Sequence, residues 1–184
     1  ALNGKNNNGM FDITFPLRGN HDIRNTAPWQ AYFNNAGNST RVGAENYTAD
    51  SKNLTYAFDY KNAIFIGIDI PGDSNIITSS QIAFVDSSLT AAENRGMTHA
   101  FLFFHGPIYP VSSHTSCAAR TCPTPSSVVN LVKVLNKHAI VSAIFNGHEH
   151  LQAYVHMDSS RVPEITRPFE QFITGSAGAS LNSC

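Results

Sequence analysis

Apolar residues fall into short runs separated by polar stretches rich in Asn, Gly and Ser. "LTYAFDY" (54–60) alternates apolar and polar positions as a half-buried strand does, and "NAIFIGIDI" (62–70) is a β-branched run suited to a fully buried one. "HAFLFF" (99–104), "AIVSAIF" (139–145) and the start of "QFITGSAGAS" (171–180) are further strand-length runs, and "MFDITFPL" (10–17) ends in a short strand. Between them lie helical patterns. Residues 28–33 suit a short helix with Pro28 in its first turn, and residues 79–89 open with capping residues and place Ile82, Val85 and Leu89 at helical spacing. "SSVVNLVKVLNKH" (126–138) reads as a capped amphipathic helix. Such alternation predicts a layered α/β domain.

Composition narrows the class. A chain of 184 residues fits one domain or a piece of one, and 42% hydrophobic against 14% charged residues makes it globular. A net charge of −1 leaves no basic face for nucleic acid and no polybasic patch for a membrane surface. No apolar run approaches the roughly 18 residues of a membrane span. The opening "ALNGKNNNG" has no targeting pattern, so any such segment is expected upstream.

Three N-x-[ST] sequons, at Asn38, Asn46 and Asn53, crowd one polar stretch and favour a secreted, extracellular or vacuolar glycoprotein. Cys117 and Cys122 are candidates for a short disulfide loop, with two buried thiols or a zinc clip as the alternatives. Cys184 is left over, which points to a partner in sequence beyond the chain.

The chemistry gathers where strands end. "FPLRGNHD", "FLFFHGPIY" and "AIFNGHEH" each carry an apolar run into polar, ligand-competent residues. Sites in α/β sheets form at the carboxyl ends of strands, so Asn20, His21, Asp22, His105, His148 and His150 are expected to converge. Neutral imidazoles paired as His-x-His suggest a metal, whereas any one of these histidines alone reads equally as a turn or packing residue. His99, His114, His138 and His156 lie outside these motifs; His114 follows the H-x-P-x-Y loop closely enough to line a pocket, and His138 sits at a helix carboxyl end, where an imidazolium favours the dipole.

G-N-H-D at 19–22, H-x-P-x-Y at 105–109 and G-H-x-H at 147–150 stand in the order and approximate spacing of the calcineurin-like metallophosphoesterases, which include the purple acid phosphatases. The chain resembles that superfamily over nearly its whole length, with "YAFDYKNAIFIGID", "QIAFVDSSL" and "FITGSAGAS" adding to the likeness. The resemblance implies an αββα sandwich and hydrolysis of phosphoric esters by two transition-metal ions (Zn, Fe or Mn, divalent or mixed-valence). Ions about 3.5–4 Å apart would polarise phosphoryl oxygens and supply a bound hydroxide. Carried over by motif, Asn20, His105 and His148 would hold one metal and His150 the other. His21 would serve the leaving group as proton donor, and Asp22 would orient His21. Gly147 would let backbone approach the site, and Pro107 would shape the loop after His105. The substrate would be a phosphorylated small molecule, monoester or diester.

The chain also departs from the pattern. Family members carry D-x-H (or D-x-G) and G-D-x-x motifs before G-N-H-D, and the 18 residues preceding Gly19 contain neither. Residues 1–184 are therefore expected to form the carboxyl-terminal portion of one catalytic domain, lacking its first strands, with the amino-terminal part as a partner. The alternative from another class is a catalytically inactive glycoprotein fragment that serves as an interaction or structural module.

Overall fold

A computed structural model describes residues 14–22, 26–33, 39–41, 43–70, 76–112, 126–175 and 180–181. The described strands form one seven-stranded sheet in the order β1-β2-β3-β4-β5-β7-β6. These are β1 Glu45–Ala49, β2 Tyr56–Tyr60, β3 Ala63–Gly67, β4 His99–Phe103, β5 Val141–Asn146, β6 Gln152–Met157 and β7 Phe169–Thr174. Strands β3, β4, β5 and β7 run parallel, and β1, β2 and β6 add antiparallel flanks. The helices are α1 Thr26–Phe33, α2 Ser79–Asn94 and α3 Ser126–Leu135. The α/β class is thus as expected, and every described strand belongs to the same sheet.

Its two faces differ in chemistry because side chains alternate along a strand. One face presents Ile64, Ile66, Leu102 and Ile144 to Val85, Leu89, Leu131 and Val132 of the helices, all at or below 1% exposure, and this is the core. The other face is aromatic. Phe58, Phe65 and Phe101 sit at register positions, with ring centroids 5.4 Å apart at each step. A second row continues through Phe103, Phe145, Phe172 and Tyr154 at 5.0, 5.1 and 5.4 Å. Most of these rings are half-buried, and Tyr154 is 61% exposed.

Several boundaries move. The strand expected to end "MFDITFPL" is irregular in its described part: Pro16 has no N–H to give a ladder, and Phe15 instead stacks 3.9 Å from Phe58. β3 stops at Gly67, three residues short of the run's end at Ile70. α2 runs on to Asn94 and starts with a capping box in which Thr78 and Gln81 bond reciprocally. β1 and β6 have no counterpart in the hydrophobic pattern. Both lie at sheet edges with mixed exposure, so neither shows an apolar run nor a clean alternation.

Candidate metal centre at the strand ends

Parallel β4 and β5 deliver His105 and the Gly147–His150 turn to the same end of the sheet. Backbone and side-chain bonds then tie the two loops together. Gly147 N donates to His105 O at 2.9 Å, and the Asn146 amide donates to Phe104 O at 2.8 Å. The G-N-H-D segment reaches them through Arg18, whose guanidinium grips Asp69 just beyond β3 with bonds of 2.9 and 2.6 Å and also donates to Thr26 Oγ1. The bond to Asp69 raises the Arg18 pKa above its ordinary value, against the opposing cost of burial. Asp69 therefore serves as the anchor of this loop.

Asn20, His21 and Asp22 form a 3₁₀ turn. Within it Asn20 Oδ1 lies 2.8 Å from His105 Nε2, which lies 3.1 Å from His148 Nδ1. The two imidazoles meet edge to face with centroids 4.9 Å apart. Gly19 is required by this approach: a Cβ there would stand 2.9 Å from His105 Cε1. At Gly147 a Cβ would meet only ordinary contacts, the nearest at 3.5 Å on the His105 ring. Gly175 after β7 is the tight position, where a Cβ would come within 2.8 Å of His150 N.

Two donor separations at this cluster resemble those of ligands sharing one metal ion. Bonds of about 2.0–2.1 Å at angles between octahedral and tetrahedral put neighbouring donors about 2.9–3.4 Å apart. The observed separations of 2.8 and 3.1 Å are close to that range. Among the described residues, no cluster of three or more His, Cys, Asp or Glu side chains is placed to hold a metal, so His150 does not join His105 and His148. His148 and His150 both occupy the left-handed backbone region, at φ 64° and 55°. A non-glycine residue there costs about 1–2 kcal/mol, and such strain concentrates at functional sites.

The remaining site residues divide. His21 is exposed, while the Asp22 carboxylate accepts from Gly19 N at 2.9 Å and so closes its own turn. Pro107 is buried in the loop after His105. Two residues escaped the sequence reading. Asn146 is 3% exposed and splices the β4 and β5 loops, and its Oδ1 is buried without a protein partner. Glu149, between the two histidines, is wholly buried. A polar residue at the last position of an apolar run was the available signal for Asn146, and none marked Glu149 as buried.

Of the other candidates, the Asn46 amide nitrogen that a glycan would occupy donates to the buried Asp59 at 2.8 Å. Asn53 lies in a tight turn at φ 54°. Asn38, His114, Cys117, Cys122 and Cys184 lie outside the described residues.

No protein-family model matches the chain, and no curated protein does. Solved structures do. A purple acid phosphatase from yellow lupin (Lupinus luteus) seeds superposes with a TM-score of 0.57 and 17% identity, over 73% of this chain and 25% of its own. A dimetal phosphatase from Danio rerio gives 0.59 and 15% identity, over 88% of this chain and 60% of its own. The chain therefore spans only part of either neighbour, and its fold is of the calcineurin-like metallophosphoesterase type.

Proposed function

We propose that residues 1–184 are the carboxyl-terminal portion of a metal-dependent phosphoesterase domain that hydrolyses phosphorylated small molecules. The observation that carries this reading is the convergence of Asn20 Oδ1, His105 Nε2 and His148 Nδ1 at the strand ends. These residues would hold one ion, and His150 would belong to a second. Bound transition metals (Zn, Fe or Mn) supply Lewis acidity toward phosphoryl oxygens and a low-pKa water. The protein's own contributions are distinct. Asn20, His105 and His148 fix the ligand geometry, and Gly19 leaves room for the His105 ring. His21, exposed beside this cluster in sequence, is free to reach a leaving-group oxygen and donate a proton.

The aromatic face supports the fragment reading. A cavity of about 460 Å³ opens between Phe15, Leu17, Tyr56, Phe58, Phe65 and Phe103. Half-buried rings in two continuous rows are costly to leave in water, and the amino-terminal part of the same domain would cover them. The second reading is an inactive interaction module, favoured by the lack of a third His, Cys, Asp or Glu at the His105–His148 pair among the described residues.

Metal content of the full chain by elemental mass spectrometry, with hydrolysis of an aryl phosphate, separates the two. The phosphoesterase reading expects retained transition metal and turnover that disappears in His148→Ala. Metal-free protein, with background hydrolysis unchanged in that variant, would leave the interaction module standing.

A further inference from the structure

The segment leaving His105 is anchored at both ends by groups from β5, its turn and β7. Near His105 the anchors are Asn146 and Gly147, described above. At the far end, Gln171 on β7 brackets Tyr109: its Oε1 accepts from Tyr109 N at 3.1 Å, and its Nε2 donates to Tyr109 O at 2.8 Å. Glu149 Oε2 then accepts from both Val111 N and Ser112 N, each at 2.6 Å. Gln171 and Glu149 are both at 0% exposure. A carboxylate withdrawn from water is held there only by strong compensating bonds, and two short bonds from backbone N–H groups are of the charge-assisted kind.

We propose that Glu149, seconded by Gln171, is a positioning residue that locks the His105 loop to the His148–His150 turn and so sets the His105–His148 geometry. Glu149 lies between two residues held at positive φ. A turn with that backbone relaxes unless something holds it, because left-handed conformations disfavour side chains other than glycine. Its carboxylate reaches across to the other histidine-bearing loop, so one side chain restrains both. Gln171 fixes the same loop two residues earlier, from a strand that neighbours β5. Among the described residues the turn therefore carries candidate ligands and their brace in three consecutive positions, His148, Glu149 and His150.

The test compares wild type, Glu149→Ala, Glu149→Gln and Gln171→Met by NMR on the full chain, followed by titration with zinc. In Glu149→Ala the Val111 and Ser112 amides should exchange at least about tenfold faster, with Leu102 and Ile144 unchanged. The nuclear Overhauser contact between the His105 and His148 rings should disappear, and zinc affinity should fall at least about tenfold. Glu149→Gln keeps the shape and one acceptor oxygen and should restore most of the ring contact. Faster exchange with the ring contact and zinc affinity both unchanged would overturn the proposal, since the brace would then serve only the loop. If Glu149→Ala does not fold, Gln171→Met decides: faster Tyr109 exchange should come with a weakened ring contact, and an unchanged contact overturns. The zinc arm rests on the function proposed above, but the exchange and ring arms do not. Wild type that shows the ring contact without binding zinc would remove the metal reading and leave the positioning role to be judged on the rings.

Discussion

Two buried histidine sites in this molecule are built on opposite plans. His138, at 5% exposure, follows α3 and points both ring nitrogens at carboxylates of α2: Nδ1 lies 2.9 Å from Glu93 Oε2, and Nε2 lies 2.9 Å from Asp86 Oδ1. The clasp is completed by Ala139 N on Glu93 at 3.0 Å and Lys137 Nζ on Asp86 at 3.2 Å. At the strand ends, His105 Nε2 faces an amide oxygen on one side and an imidazole nitrogen on the other. That nitrogen meets two neighbours at once, an amide and a second ring, and neither is a carboxylate. A histidine that holds the fold together is surrounded by its complement. The strand-end histidines meet an amide and each other instead.

The sharpest way to break this contrast is to exchange the consequences. His138→Ala removes two charge-assisted bonds, each worth about 1.5–3 kcal/mol where fully buried. Because Asp86 and Glu93 keep side-chain exposures of 37% and 32%, water recovers part of that. The expected loss is about 2–3 kcal/mol in chemical denaturation, with zinc affinity unchanged. His148→Ala should do the reverse: zinc affinity falls about 100-fold or more, while stability stays within about 1 kcal/mol of wild type. If His138→Ala weakens zinc binding, or His148→Ala unfolds the chain, the division between the two sites is wrong.

Acid sharpens the comparison next. The hydrogen bond from His138 holds the Asp86 pKa below its ordinary 3.8, with Lys137 adding to the effect. A carboxylate depressed by folding contributes stability that is fully present above its unfolded pKa and drains away as pH falls through the folded value. The thermal midpoint should therefore drop below about pH 4, and Asp86→Asn should flatten that part of the profile while lowering the plateau. An acid limb identical in the variant would mean that Asp86 carries none of it.

How much of this was legible in the sequence follows the same physics. Strands β3, β4 and β5 announce themselves because both of their faces are covered or aromatic, so their apolar runs are nearly unbroken, while β2 shows as an alternation and β7 only through its Phe-Ile end. Among the described strands the edges β1 and β6 each pair with one neighbour, and "ENYTA" and "QAYVHM" carry no such run. At the site, motif order was enough to bring Asn20, His105 and His148 together. It could not show that Asp22 turns back onto Gly19 N, since that is a bond of local backbone geometry. Nor could it show Glu149 as buried, because its partners at Val111 and Ser112 are 38 and 37 residues away and are backbone N–H groups, which no side-chain pattern records. His138 reads as a helix-end residue, and its position after α3 is as expected. The carboxylates that define its role come from another helix.

The smallest expected effect tests the strained turn itself. His150 is half-buried at φ 55°, whereas His148 at φ 64° is 7% exposed and packs against His105. Glycine at position 150 removes a left-handed penalty at a half-buried position, so His150→Gly should raise stability by up to about 1 kcal/mol. The same change at 148 forfeits the packing on His105 and should gain less or destabilise. The proposed division of ligands adds a second readout, in which His150→Gly leaves the tighter zinc site intact and weakens only a second one. A destabilised His150→Gly would mean that the side chain's own interactions outweigh the backbone cost, and His150 would then belong with His138 among the histidines that hold the fold.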